Sequence, residues 1–141
     1  MGQTLVDRVV LTELPLTEPR DYLEERRFYS KGGEFAQIVN EVASDKRYAH
    51  IAFWTSPQDG KRGYHFHKKP EYFYVAAGEL EMHVKDRESG EESSFYLRAG
   101  FKVMMPAGLA HYFLAKQPAE VIEYHIEPYA ESDTERYDQF A

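Results

Sequence analysis

The chain has 141 residues, 43% of them hydrophobic and 15% aromatic, enough to bury the core of one ordinary domain without leaving comfortable room for a second. It carries no cysteine, which excludes disulfides, thiolate metal sites and a cysteine nucleophile, so any metal must be held by nitrogen and oxygen. A formal charge of −7 and a pI near 5.4 oppose binding to nucleic acid or to anionic membranes.

No apolar run approaches the ~20 residues of a membrane span, and the opening MGQTLVDRVVLTEL lacks the apolar region of a signal peptide, so a cytoplasmic location is expected. Leu5 to Leu11 alternates as a strand would, after which Pro15 and Pro19 break the chain into an irregular arm that should pack on a barrel or a partner subunit. Asp21 to Lys31 reads as a short helix giving way to a strand, and Phe35 to Val42, beyond the Gly32-Gly33 break, as a further strand. We therefore divide the chain into an arm with edge strands (residues 1–47), a barrel (48–128) and a tail (129–141).

From Tyr48 onward, short apolar or alternating runs are separated by turn signals. Strands are expected over Tyr48–Thr55, Gly63–His67 and Glu71–Ala76, with a tight turn at Ala77-Gly78. Leu80, Met82 and Val84 then alternate with Glu81, His83 and Lys85 as a half-exposed strand running into an Asp86–Glu92 turn. Phe95–Leu97, Phe101–Met105, Leu109–Ala115 and Ala119–Ile126 follow, and the acidic tail Tyr129–Ala141 is expected to be loosely held. Many short strands with few helical candidates predict an all-β barrel or sandwich.

Two stretches carry chemistry. In GKRGYHFHKKPEYFYVAAG (Gly60–Gly78), His65 and His67 are two apart and so face one side of a strand, and Glu71 follows after three residues. In GFKVMMPAGLAH (Gly100–His111) a glycine-proline frame ends on His111. Three imidazoles and a carboxylate form a donor set for one divalent transition metal, Fe, Mn, Ni, Cu or Zn, whose identity affinity order alone does not fix. An isolated His-x-His pair is more often a hydrogen-bonded or surface pair than a ligand pair, and it is the full constellation that points to metal. Gly78, Gly100, Pro106 and Gly108 serve turns. His50, His83 and His125 are left outside the site, because a lone strand histidine is usually core or surface. Phe73, Met105 and Phe113 are the expected pocket walls, and Lys68-Lys69 and Glu91-Glu92 the solvated turn charges.

These residues resemble the two motifs of the cupin superfamily, G-x5-H-x-H-x3,4-E-x6-G and G-x5-P-x-G-x2-H-x3-N. His65, His67, Glu71 and Gly78 fit the first, and Gly100, Pro106, Gly108 and His111 the second. Gly60 lies one residue too close to His65, and Ala115 stands where the family has asparagine. The resemblance implies a double-stranded β-helix, or jelly-roll, with the metal inside its mouth, commonly as a homodimer. A finer similarity, over Arg62–Lys69 and the segments around it, is to cupins encoded with nucleotide-sugar and polysaccharide enzymes, including isomerases whose His-x-His pair works as acid and base without metal.

Three classes of function follow. One is a small-molecule enzyme acting on a sugar or oxoacid, either an isomerase, epimerase or lyase that polarises a carbonyl or an iron dioxygenase. The second is a metal-dependent ligand-binding barrel without turnover, and the third a structural barrel.

Overall fold

A computed structural model of the chain describes residues 4–18, 25–39, 48–128 and 130–141. The expected strand at Leu5 is instead one helical turn, α1 (Leu5–Arg8). Thr4 caps it by accepting from the Asp7 amide, a local hydrogen bond that offers the backbone an alternative to pairing. Leu5 is fully buried, and pairing begins only at β1 (Val10–Glu13). The next strands are β2 (Arg26–Ser30), β3 (Gly33–Gln37), β4 (His50–Ser56) and β5 (Lys61–His67), then β6 (Glu71–Lys85), β7 (Glu92–Arg98), β8 (Phe101–Met105), β9 (Ala110–His125) and β10 (Thr134–Arg136).

β2 and β3 form a separate hairpin, linked to the arm where the Arg27 amide donates to the Pro15 carbonyl. The helix expected at the start of Asp21–Lys31 and the far end of the Phe35–Val42 strand lie outside the described residues.

β6 and β9 are the spine. They pair antiparallel from Tyr72↔Tyr124 to Lys85↔Ala110, and each bends midway so that its halves join different sheets. The first half of β6 pairs with β8, and the second half of β9 with β4, giving the order β1-β8-β6-β9-β4. The other halves give β7-β6-β9-β5-β10. This is the jelly-roll the motifs imply. The turn expected at Ala77-Gly78 is therefore a bend within one continuous strand, marked by register shifts between Val75 and Leu80. Gly78 has φ +87, and a Cβ there would run into the carbonyl of Pro118 on β9, so the two spine strands cross too closely for any side chain.

Between the sheets, Phe73 and Val75, then Leu80, Met82 and Val84, and from β9 Phe113, Ala115, Ala119 and Val121 form one apolar cluster. The alternation read over Leu80–Lys85 is the observed one. Leu80, Met82 and Val84 are sealed, while His83 stacks outward on Tyr112 with ring centroids 4.5 Å apart. The tail is not loose. β10 pairs with β5 in register Thr134↔His67, and Phe140 packs edge-on against Tyr64 and Tyr112. Apolar contacts outweigh the acidic composition from which looseness was expected. No helix among the described residues is long and apolar enough to cross a membrane.

Candidate metal centre

Period-two phasing carries polar residues into the barrel at one end. On β6, Glu71 shares the inward phase of Phe73 and Val75, and on β9, His111 shares that of Phe113. His111 lies opposite His65 across the β5–β9 ladder. The ladder slips between Gly63 and His65, where Gly63 (φ +115) and Tyr64 (φ +59) both take left-handed conformations. A Cβ on Gly63 would stand 2.9 Å from the His111 carbonyl, so glycine lets β5 approach β9 beside the site. The bulge re-aims the strand just before the His65-x-His67 pair.

The structure thus brings all four expected ligands together, their donor atoms lying within 4.8 Å of one another. Glu71 Oε1 is 2.7 Å from His67 Nε2 and 3.2 Å from His111 Nε2, and the His65 ring centroid is 4.5 Å from that of His67 and 5.0 Å from that of His111. Glu71 and His111 are almost wholly buried.

Despite this proximity, His67 Nε2, His111 Nε2 and Glu71 Oε1 are buried without an aligned hydrogen-bond partner. Buried polar atoms are costly to leave unsatisfied, and the three converge on one point. Ligand atoms sharing an ion at ~2.1 Å stand about 3 Å apart at right angles, and the two pairs around Glu71 Oε1, at 2.7 and 3.2 Å, lie near that spacing.

The other ring nitrogens of two of these histidines are held from outside the site. His111 Nδ1 lies 3.1 Å from the Leu109 carbonyl, which can only accept, so Nδ1 carries a proton and Nε2 is the atom that faces the site. His67 Nδ1 is 3.0 Å from the Thr134 hydroxyl, which can accept from it in the same way. Burial, and then the neighbouring His111 and His67, lower the His65 pKa to about 4, so its ring is neutral at ordinary pH. Burial alone would raise the Glu71 carboxyl, but contacts from His111 and His67 outweigh it and bring it to about 2. A neutral imidazole, as at His65, and an ionised carboxylate, as at Glu71, are the forms that bind metal.

The site opens on a cavity of about 300 Å³. Phe73 and Phe113 line it as expected, whereas Met105 is buried in the core away from it. Trp54 and Arg62 complete the apolar wall, with the guanidinium 4.8 Å above the indole ring. Lys69, expected to be solvated, is paired with Glu127 and Asp133.

The sequence reading left out His50 and His125 and did not single out Glu123 or Thr134, all of which the fold brings to this end of the barrel. His125 Nε2 is 3.7 Å from Glu71 Oε2, and His50 and Glu123 line the cavity. The available signal was the phase of β4, where His50, Ala52 and Trp54 alternate with Ile51 and Phe53.

A family model described as a cupin domain matches residues 52–126. None of the curated proteins matches the chain in sequence. Among solved structures, a dTDP sugar isomerase from Desulfovibrio desulfuricans is similar with a TM-score of 0.76 at 19% identity, over 94% of this chain and 85% of that one. The sugar 3,4-ketoisomerase QdtA from Thermoanaerobacterium thermosaccharolyticum, in complex with TDP, gives 0.70 at 18% identity over 94% and 90%. The dTDP-6-deoxy-D-glucose-3,5-epimerase RmlC from Legionella pneumophila, in complex with dTDP-4-keto-L-rhamnose, gives 0.70 at 17% identity over 94% and 74%. At these identities the likeness is one of fold.

Proposed function

The chain belongs to the cupin domain family, and from that premise we propose that it is a small-molecule isomerase or epimerase acting on a keto sugar, with His65, His67, Glu71 and His111 holding one divalent metal. The observation that carries the reading is the convergence of three imidazoles and a buried carboxylate whose facing atoms have no aligned partner. The sugar class is drawn from the structural neighbours, whose descriptions place TDP and a dTDP-linked keto sugar in their complexes.

The reaction in this class removes a proton from the carbon beside a ketone. It returns the proton to a neighbouring position in an isomerase, or to the opposite face of the same carbon in an epimerase. A bound divalent ion supplies Lewis acidity toward a carbonyl oxygen. Around it the chain's own residues enclose and bind the substrate. Trp54, Phe73 and Phe113 line the cavity as one aromatic cluster that excludes water, and Arg62, held over Trp54, presents a cation to an anionic part of the substrate. A cavity of about 300 Å³ is at the small end of ligand pockets, suited to one sugar ring with a nucleotide outside.

A second reading is supported by the neutrality of His65. With its pKa lowered to about 4, it is unprotonated at neutral pH and can accept a proton, as a metal-free acid–base isomerase would require, although as a weaker base than an ordinary imidazole. One experiment decides between them: dTDP-linked 4-keto-6-deoxy sugars are incubated with chelator-treated protein, with and without added Mn(II), Fe(II), Ni(II) or Zn(II), in deuterated water. Metal-dependent deuterium incorporation supports the first reading, incorporation by the metal-free protein supports the second, and none in either case contradicts both.

A further inference from the structure

The first metal set uses only one oxygen of Glu71. The other, Oε2, faces His125 Nε2 at 3.7 Å, and His125 belongs with His50 and Glu123 to a second group whose donor atoms lie within 4.8 Å of one another. The fold builds this group deliberately into the barrel. His50 and His125 are direct partners across the β4–β9 ladder, with ring centroids 5.1 Å apart, and Glu123 precedes His125 by two residues on the same inward face. The intervening Ile51 and Phe53 point out to solvent, 69% and 60% exposed.

We propose that His50, Glu123, His125 and Glu71 Oε2 hold a second divalent transition metal, so that Glu71 bridges a two-metal centre. The proposal rests on the metal reading of the first set, since Glu71 is common to both. His125 Nε2 and Glu123 Oε2 form a hydrogen-bonded pair at 3.2 Å, a spacing that neighbouring ligands on one ion can keep once the imidazole has lost its proton. A carboxylate with one oxygen on each ion spans metals ~3.5–4 Å apart, the separation of known two-metal sites. The ring centroids of His67 and His125, one from each set, are 6.2 Å apart, which places the two groups side by side.

Charge argues the same way. Glu71 and Glu123 are two carboxylates at one end of the barrel, with side chains only 2% and 17% exposed, and no lysine or arginine is seen pairing with either among the described residues. Two divalent ions would balance them and leave net positive charge facing the cavity, which His50 and Glu123 line together with His65 and His67. An anionic or polyhydroxylated ligand is what such a pair of ions takes.

The test is reconstitution of the full chain with Mn(II), read by native mass spectrometry and by electron paramagnetic resonance. Wild type should bind two ions per chain with a spin-coupled signal. The double variant His50→Ala/Glu123→Gln, both partly exposed positions, should bind one ion with an uncoupled signal. The wild-type result stands by itself should the variant fold poorly. Saturation of wild type at one ion, lost in His65→Ala but kept in the double variant, overturns this proposal and leaves the single-metal reading intact. Two ions retained by a folded double variant overturn the assignment of the second site, and no ion at all overturns both readings.

Discussion

The Thr134 hydroxyl lies 3.0 Å from His67 Nδ1, so the C-terminal strand completes the site. Thr134↔His67 is also a register pair of β10 with β5, and the contact is built into the ladder rather than made by a free tail. Losing a partner that orients a ligating histidine typically costs 10–100-fold in metal affinity. We expect Thr134→Val to weaken binding by about tenfold or more with little change in the melting temperature of the metal-free protein, measured by competition with a chelating dye. Unchanged affinity would show that His67 needs no such support.

Gly63→Ala should destabilise the metal-free protein. The added Cβ meets two backbone atoms, the His111 carbonyl at 2.9 Å and Tyr112 Cα at 3.0 Å, in a conformation of φ +115 that alanine avoids. A cost of about 1–3 kcal/mol is expected, equivalent to a fall of several degrees in thermal unfolding. Metal affinity should fall as well, because β5 must move away from β9 between His65 and His111. A variant that melts with wild type would mean the bulge is relaxed.

Acid should weaken the metal-free fold in a defined window. His65 in the unfolded chain takes up a proton near its ordinary 6.5 but in the folded chain not until about 4. The unfolded state therefore binds more protons between these values, and stability falls as pH drops from about 6.5 to about 4. Glu71, at about 2 folded against 4.5 unfolded, has the same sign and extends the loss below pH 4.5. His125, raised because the Glu123 and Glu71 contacts outweigh its burial, works the other way, its contribution disappearing as pH rises through its folded value. In urea titrations at several pH values, His65→Gln should flatten the dependence between 6.5 and 4. An unchanged slope in that variant would assign the effect elsewhere.

The homodimer that the cupin resemblance implies would use the outer face of β4, where Ile51 and Phe53 stand exposed on one strand. We expect sedimentation equilibrium to give a homodimer at micromolar concentration and Phe53→Glu to give a monomer. A monomeric wild type would exclude the dimer.

Local pattern carried much of this into the sequence. The spacing of His65, His67 and Glu71, and the alternation over Leu80–Lys85, are period-two properties that any strand must obey, and both hold in the fold. What failed was of two kinds. At Thr4–Arg8 a cap residue overrode an alternating pattern, and at Gly78 a positive φ reads as a turn although it serves a bend. The second kind was non-local. His50 joins His125 only through the β4–β9 register, and Thr134 meets His67 only because aromatic packing brings the tail back across β5. No window of sequence contains such pairings.

The central claim, that His65, His67, Glu71 and His111 bind a divalent metal, is tested most directly by thermal unfolding with and without added Mn(II), Ni(II) or Zn(II). Metal at a hundredfold excess over the dissociation constant should stabilise wild type by about 2.7 kcal/mol, a rise on the order of 10 °C for a domain of this size. The His83→Ala variant, altered on the outward face, should keep that rise, and His65→Ala and His111→Ala should lose most of it. A wild type whose unfolding no divalent ion moves, or a His111→Ala variant stabilised as fully as wild type, would contradict the account.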